Sequence, residues 1–354
     1  MTKKNIILTG GGTAGHIMPN LALMPKLKEH FDKIYYLGAK NSMEEKLISK
    51  QKGIIFKPIP TTKFIRSLTL KNLIIPFKLL YSVYKTKKLI KGINPDVIFC
   101  KGGFVSVPVA IAGHKLKIPV ISHESDLSLG LANKIILKYA NVMCTSFETT
   151  AKLSKKCIFT GSPIRQQIYY GDKNRALLEF KDYDKTLPTV MFFGGSLGSK
   201  NINNLVVNSL DKLAEYYNII HIVGKNNKTK IEKKHYFQLE FTDHIEDFFA
   251  LADMVVCRGG ANSLFELLAL KKPMLIIPLS KTQSRGDQIE NANYFKKRNY
   301  AEVLFEEDMS TKILLTKIQK VLNNATKTKI IMQSLNLNNP NVKIVDIILN
   351  NIKK

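Results

Sequence analysis

The chain has 354 residues, of which 45% are hydrophobic and 23% charged, as expected for a globular protein of about two domains. Its 54 Lys and Arg residues against 28 Asp and Glu residues give a net charge of +26, which favours anionic partners, although a lysine-rich genome composition would explain part of the same surplus. No apolar stretch reaches the ~18 uncharged residues that cross a membrane, and the apolar run at 6–8 is too short for a signal peptide, so neither element is expected.

Short β-rich runs alternate with longer helical patterns along the whole chain. The first half predicts strands at NIILTG, KIYYLGA, GIIFKPIP, PDVIFCKGG, KIPVISHES and NVMCTSF, with helices over 20–30 and 70–91. The pattern restarts at PTVMFFGGSLGS and continues through NIIHIVG, ADMVVCRGG and PMLIIPL, each followed by a helical stretch. We therefore predict an α/β fold of two doubly wound, Rossmann-like domains that face each other across a cleft.

The connection between the two halves lies near TGSPIRQQI, so the predicted domains are residues 1–162 and 163–354. A final helix over 341–351 is able to pack on either of them. The four cysteines, Cys100, Cys144, Cys157 and Cys257, lie far apart and form neither a C-x-x-C motif nor a metal-ligand spacing. They are predicted to be buried thiols in a reducing compartment.

The first glycine loop, ILTGGGTAGHIMPN, raises the possibility of a dinucleotide site. Gly10, Gly12 and Gly15 fit the G-x-G-x-x-G spacing, which lets backbone amides approach a phosphate. An acid should then end the second strand to hold a ribose, but that strand ends in Gly-Ala-Lys, with Lys40 at the end. A lysine suits a 2′-phosphate, so NADP is disfavoured without being excluded. His16, at the start of the following helix, is unusual for such a turn and is a candidate for chemistry.

Further polar loops follow other predicted strands. GGSLGSKNIN carries Ser196, CRGGANSLFEL opens a helix that contains Glu266, and KGGFVSVP and HESDLSLGLANK belong to the first half. A helix N-terminus after a glycine loop suits an anion, and Arg165 in the linker would complement a diphosphate. Together these loops indicate a phosphate-bearing donor in the second domain and a reacting group in the first.

The segment 46–95 is rich in lysine and contains no Asp or Glu, and within it lies the apolar, aromatic run LIIPFKLLYSVY. Such a pattern suits the interface of an anionic membrane. The alternatives are a core-facing helix with a solvated lysine face, or a nucleic-acid surface, for which no accompanying motif is present. The predicted membrane patch consists of Lys71, Ile74, Ile75, Phe77, Lys78, Leu80 and Tyr81.

Seven motifs in order, GGGTAGHIMPNLA, GGFVSVPVAIA, HESDLSLGLANK, GSPIR, GGSLGSKNIN, CRGGANSLFEL and SRGDQIENA, resemble the MurG family over nearly the whole chain. These bacterial peptidoglycan glycosyltransferases join N-acetylglucosamine to undecaprenyl-diphospho-N-acetylmuramoyl-pentapeptide. The resemblance implies a glycosyltransferase-B fold, with an acceptor- and membrane-binding first domain and a second domain that binds UDP-N-acetylglucosamine. It also implies a peripheral location on the cytoplasmic side of the cell membrane and cell-wall synthesis proteins as further partners.

The resemblance also assigns site residues. UDP-N-acetylglucosamine would be bound by Thr13, Gly15, His16, Asp126, Arg165, Ser196, Thr242, Glu266, Asp287, Gln288 and Asn291. The acceptor diphosphate would lie against Gly11, Gly12, Gly102 and Gly103. Two positions depart from some relatives: Asp287 replaces a glutamine and Asp126 replaces an asparagine, which leaves the role of Asp126 open between sugar contact and base.

Transfer to the 4-hydroxyl of N-acetylmuramic acid turns an α-linked donor into a β-linked product, so direct inversion is implied. A base must take the hydroxyl proton. His16 is the first candidate, because an imidazole accepts a proton near neutral pH, and Asp126 is the second. No clear D-x-D carboxylate pair is placed to hold a divalent ion, so neither a metal nor a cofactor is expected.

Three other functions fit parts of the pattern. A UDP-N-acetylglucosamine 2-epimerase of the same fold would bind the same donor, but it has no use for an apolar basic segment suited to lipid. An NADP-dependent oxidoreductase would use the first glycine loop. A non-enzymatic membrane-binding protein would leave the converging polar residues unexplained.

Overall fold

The computed structural model describes residues 4–61, 74–195, 198–335 and 339–352. The chain forms two compact units: unit 1 is Met1–Arg165 with Asn338–Lys354, and unit 2 is Gln166–Leu337. The division therefore falls after Arg165 instead of after residue 162, and the C-terminal helix belongs to unit 1.

One asparagine of the C-terminal helix binds two other segments of unit 1. The Asn341 side chain accepts a hydrogen bond from Ile164 N (3.0 Å) and donates to Ile164 O (2.7 Å) and Ala22 O (3.2 Å). This one side chain therefore ties the backbone at Ile164, just before the linker, and the backbone at Ala22 to the C-terminal helix.

Unit 1 contains a parallel seven-stranded sheet in the order β3-β2-β1-β4-β5-β6-β7. Its strands are β1 (Asn5–Thr9), β2 (Lys33–Gly38), β3 (Ile54–Pro58), β4 (Val97–Cys100), β5 (Val120–Glu124), β6 (Val142–Thr145) and β7 (Cys157–Phe159). Its helices are α1 (Ala14–His30), α2 (Met43–Ile48), α3 (Ile75–Ile93), α4 (Ser106–Lys115), α5 (Leu131–Tyr139), α6 (Glu148–Ala151) and the C-terminal α14 (Pro340–Asn350).

Side chains that alternate along the strands of unit 1 fill two hydrophobic cores, one on each face of the sheet. Ile7 and Ile98 lie in the core under α3 and α4, whereas Ile6 and Phe99 lie in the core under α1. Ile344 of α14 completes the second core, which explains why the end of the chain returns to this unit.

Unit 2 contains a parallel six-stranded sheet in the order β10-β9-β8-β11-β12-β13. Its strands are β8 (Thr189–Phe193), β9 (Asn218–Ile222), β10 (Tyr236–Leu239), β11 (Met254–Cys257), β12 (Met274–Ile276) and β13 (Ala301–Val303). Its helices are α7 (Lys173–Glu179), α8 (Lys200–Tyr216), α9 (Ile245–Leu251), α10 (Ala261–Ala269), α11 (Asp287–Lys297), α12 (Thr311–Asn323) and α13 (Ala325–Gln333), with 3₁₀ turns at Gln166–Tyr170 and Glu306–Asp308.

Both sheets are doubly wound, and the prediction of two Rossmann-like α/β domains is confirmed. The strand order reverses between β1 and β4 in unit 1 and between β8 and β11 in unit 2. Ligands of such sheets bind at the carboxyl ends of the strands beside this reversal, which directs attention to the loops after these four strands.

Two further expectations concern the chemistry of the interior and the membrane. The four cysteines all lie in described segments, are buried and form no disulfide, as predicted. Burial raises the pKa of Cys257 to about 12, which makes its thiol unreactive. Within the described segments, no helix combines the length and apolar character that crossing a bilayer requires.

Candidate active site

In unit 1, the glycine loops after β1 and β4 pack directly against each other. Gly103 has φ +78°, and a Cβ at this position would overlap the carbonyl oxygen of Gly11. Only glycine allows this close approach. Gly12 has φ +85°, but no heavy atom lies within 4 Å of the place a Cβ would occupy. The structure thus brings the two predicted acceptor loops together, with Gly12 facing open space.

His16 lies in the first turn of α1, half-buried, with its ring held by the same loop. Its Nδ1 is 3.1 Å from Gly11 O and 3.1 Å from Thr13 Oγ1. A carbonyl oxygen only accepts hydrogen bonds, so we assign the ring hydrogen to Nδ1. In this neutral tautomer the lone pair is on Nε2, and that nitrogen is then able to accept a proton.

Glu44 supports the first loop from behind, a role that the sequence did not reveal. It is 2% exposed, and its carboxylate accepts hydrogen bonds from Gly12 N (3.3 Å) and Ala39 N (3.1 Å). The amide of Gly12 is therefore engaged by this carboxylate, so a phosphate at this loop would have to use neighbouring amides. The only signal in the sequence was an acid in the first turn of the helix after β2.

The loop after β5 is folded around Glu124, whose side chain is buried. Its carboxylate accepts hydrogen bonds from Asp126 N (3.0 Å), Gly130 N (3.0 Å) and Asn133 Nδ2 (2.9 Å). Burial, and then the Asp126 charge, raises the pKa of Glu124, and the three donors oppose that rise. Asp126 itself is half-buried in this loop, on a backbone that Glu124 holds in place.

His123, which precedes Glu124, is a structural histidine. It is fully buried, and its Nε2 lies 3.1 Å from Gly161 O. Burial, followed by the charge of Lys101, lowers its pKa well below the usual value. The ring therefore stays neutral and donates to this carbonyl, and it does not compete with His16 as a base.

In unit 2, the loops after β8, β11 and β12 surround a cavity of about 330 Å³. Its lining includes Gly194, Gly195, Gly198, Arg258, Gly260 and Gln288. Gly198 has φ +75°, and a Cβ there would overlap Val223 O, so this turn also requires glycine. The N-termini of α8 and α10 follow these loops, an arrangement that favours an anionic ligand.

A buried arginine ties the cavity loops together. Arg258 Nη2 lies 2.6 Å from Ser199 Oγ and 2.7 Å from Glu306 Oε1, and Nη1 donates to Ile277 O (3.1 Å). Glu306 also accepts hydrogen bonds from Asn201 Nδ2 (2.7 Å) and Ser280 N (3.3 Å). Although burial raises the pKa of Glu306, the bonds from Asn201 and Arg258 outweigh it, and the pKa lies below its usual value.

Two predicted sugar-binding residues hold the loop after β11. Gln288 Oε1 accepts hydrogen bonds from Gly259 N (3.2 Å) and Leu279 N (3.1 Å), and Asn291 Nδ2 donates to Gly259 O (3.0 Å). Gln288 also lines the cavity. Asn291 is fully buried and its amide positions the glycine loop, whereas its contact with the sugar stays a prediction.

The other predicted donor residues lie on separate elements. Glu266 is buried on α10, and Thr242 precedes α9, where its hydroxyl accepts from His244 N (3.0 Å). Asp287 begins α11, with Arg285 Nε 3.5 Å from its Oδ1. Among the described residues these three are not part of the cavity lining. The remaining two predictions, Arg165 and Ser196, fall respectively at the end of unit 1 and outside the described residues.

The predicted membrane patch corresponds to the start of α3. Four large apolar side chains of this helix are more than half exposed: Phe77 (72%), Leu80 (62%), Tyr81 (55%) and Tyr84 (65%). Ile74 and the lysines Lys78, Lys85 and Lys88 are exposed beside them. Ile75 is the exception: it is buried in an apolar groove with Phe104, so its assignment to the patch is wrong. Lys71 lies outside the described residues.

The described part of the chain contains no group of three or more His, Cys, Asp or Glu side chains placed to hold a metal ion. Two buried cations lie near the loops described above: Arg258 in unit 2 and Lys101 in unit 1.

Comparison with known proteins identifies the class. Residues 6–145 match the glycosyltransferase family 28 N-terminal domain, and residues 189–346 match its C-terminal domain. Among solved structures, Acinetobacter baumannii MurG superposes with a TM-score of 0.77 at 23% identity over 98% of this chain and 99% of that one. The calicheamicin glycosyltransferase CalG4 gives 0.72 at 9% identity over 98% of both chains. The fold is therefore that of a two-domain, glycosyltransferase-B type enzyme.

Two relatives are named UDP-N-acetylglucosamine–N-acetylmuramyl-(pentapeptide) pyrophosphoryl-undecaprenol N-acetylglucosamine transferase. The protein from Clostridium tetani is 45% identical over 98% of both chains, and the one from Clostridium botulinum is 44% identical over the full length of both. The chain belongs to the MurG family, as its seven motifs predicted.

Proposed function

We propose that the protein transfers N-acetylglucosamine from UDP-N-acetylglucosamine to the 4-hydroxyl of lipid-linked N-acetylmuramoyl-pentapeptide, with inversion, in peptidoglycan synthesis. The observation that carries this proposal is the 45% identity with a transferase of that name over 98% of both chains. The aligned region covers 98% of the chain and therefore includes both sheets and the loops that follow their strands.

On the donor side, the loops of unit 2 suit a nucleoside diphosphate. The cavity is lined by glycine amides, it adjoins two helix N-termini, and it contains a buried guanidinium at Arg258. These groups oppose the negative charge that develops on a departing diphosphate. We assign unit 2 as the donor domain, with Gln288 at the cavity and Arg165, Ser196, Thr242, Glu266 and Asp287 as the further donor contacts.

On the acceptor side, both candidate bases belong to unit 1: His16 at the start of α1 and Asp126 on the loop after β5. His16 is the first candidate because its Nδ1 lies 3.1 Å from Gly11 O, which assigns the ring hydrogen to Nδ1 and the basic lone pair to Nε2. Asp126, on the loop after β5, is the alternative. We assign unit 1 as the acceptor domain, with Gly11, Gly12, Gly102 and Gly103 against the acceptor diphosphate and with Thr13 and Gly15 as further contacts of UDP-N-acetylglucosamine.

The direct test is incubation with UDP-N-acetylglucosamine labelled in the sugar and a lipid-linked muramoyl-pentapeptide. We expect the label to enter the lipid fraction with release of UDP. Label recovered as UDP-N-acetylmannosamine would instead indicate the 2-epimerase. In a parallel reaction supplied with NADPH, oxidation of NADPH without sugar transfer would indicate the oxidoreductase. Either result would reject the transferase.

The two acceptor-loop glycines are expected to respond differently to alanine. Gly103→Ala combines a left-handed backbone with overlap on Gly11 O, so it should lower the unfolding midpoint of unit 1. Gly12→Ala pays only the backbone strain of about 1–2 kcal/mol, but its methyl group enters the open space beside the loop. We expect a raised KM for the lipid acceptor and a fall in midpoint of roughly 2–8 °C, smaller than that of Gly103→Ala. Thermal unfolding measures the midpoints of both variants, and titration with the acceptor measures their KM values. Equal KM values for Gly12→Ala and wild type would show that this loop does not bind the acceptor.

We further propose that α3 attaches the enzyme peripherally to the cytoplasmic face of the cell membrane. Its exposed aromatic residues and lysines suit the interface of an anionic bilayer, where a basic residue contributes about 1 kcal/mol. Lys85 lies over the Tyr81 ring (5.6 Å), which keeps charge and apolar surface together.

Replacing Lys78, Lys85 and Lys88 by glutamine is therefore expected to weaken binding to vesicles of equal phosphatidylcholine and phosphatidylglycerol on the order of 100-fold. Co-sedimentation at low salt measures the partition. The matched control, Lys312, Lys327 and Lys329 to glutamine, removes the same charge from exposed positions of unit 2 and should change binding much less. If both triple variants bind equally weakly, net charge alone explains the association and α3 has no special role.

A further inference from the structure

Lys101 is a buried cation beneath the acceptor loops that none of the site assignments includes. It follows β4 directly, its backbone N donates to Thr9 O (2.8 Å), and it is 1% exposed. Its Cβ would lie 3.0 Å from a Cβ at Gly10, so its stem packs against the first glycine loop. Its ammonium donates to Ser125 Oγ at 2.6 Å. The side chain therefore connects the loops after β1, β4 and β5.

Ser125 stands between two acids, Glu124 and Asp126, so this hydrogen bond brings a cation to a pair of neighbouring carboxylates. Carboxylates close to each other resist simultaneous ionisation, because each charge raises the pKa of the other. The three N–H donors that surround Glu124 favour its ionised form, and a nearby cation favours that form further.

Four ionisable side chains interact with Lys101: Glu124, Asp126, Cys144 and His123. Burial lowers the pKa of Lys101 to about 8, whereas Glu124, Asp126 and then Cys144 raise it. His123 is held neutral, and burial raises the pKa of the Cys144 thiol to about 12, so neither carries charge at neutral pH. The Lys101 ammonium is therefore stabilised by both neighbouring acids, Glu124 first and Asp126 second.

We propose that Lys101 is a positioning residue that supplies the countercharge for Glu124 and Asp126 and fixes the turn between them through Ser125. The Asp126 side chain is thereby held in one position, where its oxygens are able to accept a hydrogen bond from a sugar hydroxyl. This role rests on the proposed function, since the hydroxyl belongs to the bound sugars.

The pH profile of kcat for sugar transfer tests the role in turnover. Wild type should lose activity above about pH 8, where Lys101 becomes neutral, and Lys101→Arg should keep activity to higher pH because the guanidinium stays charged. Lys101→Met keeps the length of the side chain without its charge. Its acid limb should move upward by about 1 pH unit or more, since the carboxylates lose their cation. If Lys101 had only a structural role, replacing it would lower kcat at every pH and would move neither the acid limb nor the alkaline limb of the profile.

A double-variant cycle tests the electrostatic link. In the Asp126→Asn background only one carboxylate remains, so Lys101→Met should lower kcat by a smaller factor than it does in wild type. Multiplicative losses would overturn the proposal.

An infrared titration of the carboxyl groups decides the inference independently of turnover. Difference spectra against Glu124→Gln identify the protonated Glu124 stretch in the full chain. We expect that band to appear at higher pH in Lys101→Met than in Lys101→Arg or wild type. Identical titrations in all three proteins would overturn the inference whether or not sugar is transferred, whereas shifted titrations without transfer would reject only the proposed function.

Discussion

Replacing His16 by alanine is expected to lower kcat for sugar transfer by roughly 10²–10⁴-fold, the usual contribution of a positioned general base. The dissociation constant for UDP-N-acetylglucosamine should change little, because the proposed donor contacts lie chiefly in unit 2. The physical basis is the hydrogen bond of Nδ1 to Gly11 O at 3.1 Å, which leaves Nε2 as the proton acceptor. Steady-state kinetics and equilibrium binding of the labelled donor measure the two quantities separately.

Two further variants distinguish a base from a residue that only holds its loop. His16→Asn retains an amide N–H able to donate to Gly11 O but has no basic nitrogen, so it should be as inactive as His16→Ala. His30→Ala removes an exposed histidine from the last turn of the same helix and should leave kcat unchanged. If His16→Asn were active while His16→Ala is not, His16 would act as a structural support of its loop and not as a base. Full activity of His16→Ala together with an inactive Asp126→Asn would transfer the role of base to Asp126.

The sequence predicted the central strands correctly because they are buried on both faces. Runs such as VIFC in β4 and VVC in β11 are continuous and apolar, as parallel strands covered by helices must be. The strands that were not predicted, β7, β10 and β13, are three or four residues long and lie at the edges of their sheets. Half-buried edge strands carry mixed sequences, so their hydrophobic pattern is weak.

The loops of the site were also predictable, because glycine spacing after a strand reflects local backbone geometry. The groups that hold those loops were not, because they come from distant positions. Glu44 bonds to Gly12 across 32 residues, and Arg258 meets Ser199 across 59. No local pattern marks such pairs. The same reason applies to Asn291, whose hydrogen bond to Gly259 O spans 32 residues.

Both units thus use one arrangement: buried charged groups hold the glycine turns that follow the central strands. Glu44 and Lys101 support the loops of unit 1, and Arg258 with Glu306 supports those of unit 2. A substitution in the supporting layer should therefore alter ligand binding without touching the ligand.

The sharpest case is Arg258→Met, which is expected to destabilise unit 2 by about 3–5 kcal/mol, because Glu306 would remain as a buried charge without its cation. For a unit of this size the unfolding midpoint should fall by roughly 6–20 °C. Donor affinity should fall as well, since Ser199 and Ile277 O lose the guanidinium that links the loops around the cavity. Calorimetry and binding of labelled UDP-N-acetylglucosamine at a temperature where the variant is folded measure these effects.

The variant Arg258→Met with Glu306→Gln separates the two consequences. Removing the stranded carboxylate should restore part of the lost stability, because no uncompensated charge is then buried, yet donor affinity should stay low because the loops are still unlinked. Lys212→Met breaks the exposed pair with Glu215 in the same unit and should leave both quantities unchanged. If the double variant recovers donor affinity along with stability, Arg258 acts on the cavity only by keeping unit 2 folded. An unchanged midpoint in Arg258→Met would instead show that this ion pair does not hold the loops. If donor affinity still fell in that variant, the guanidinium would act on the diphosphate directly.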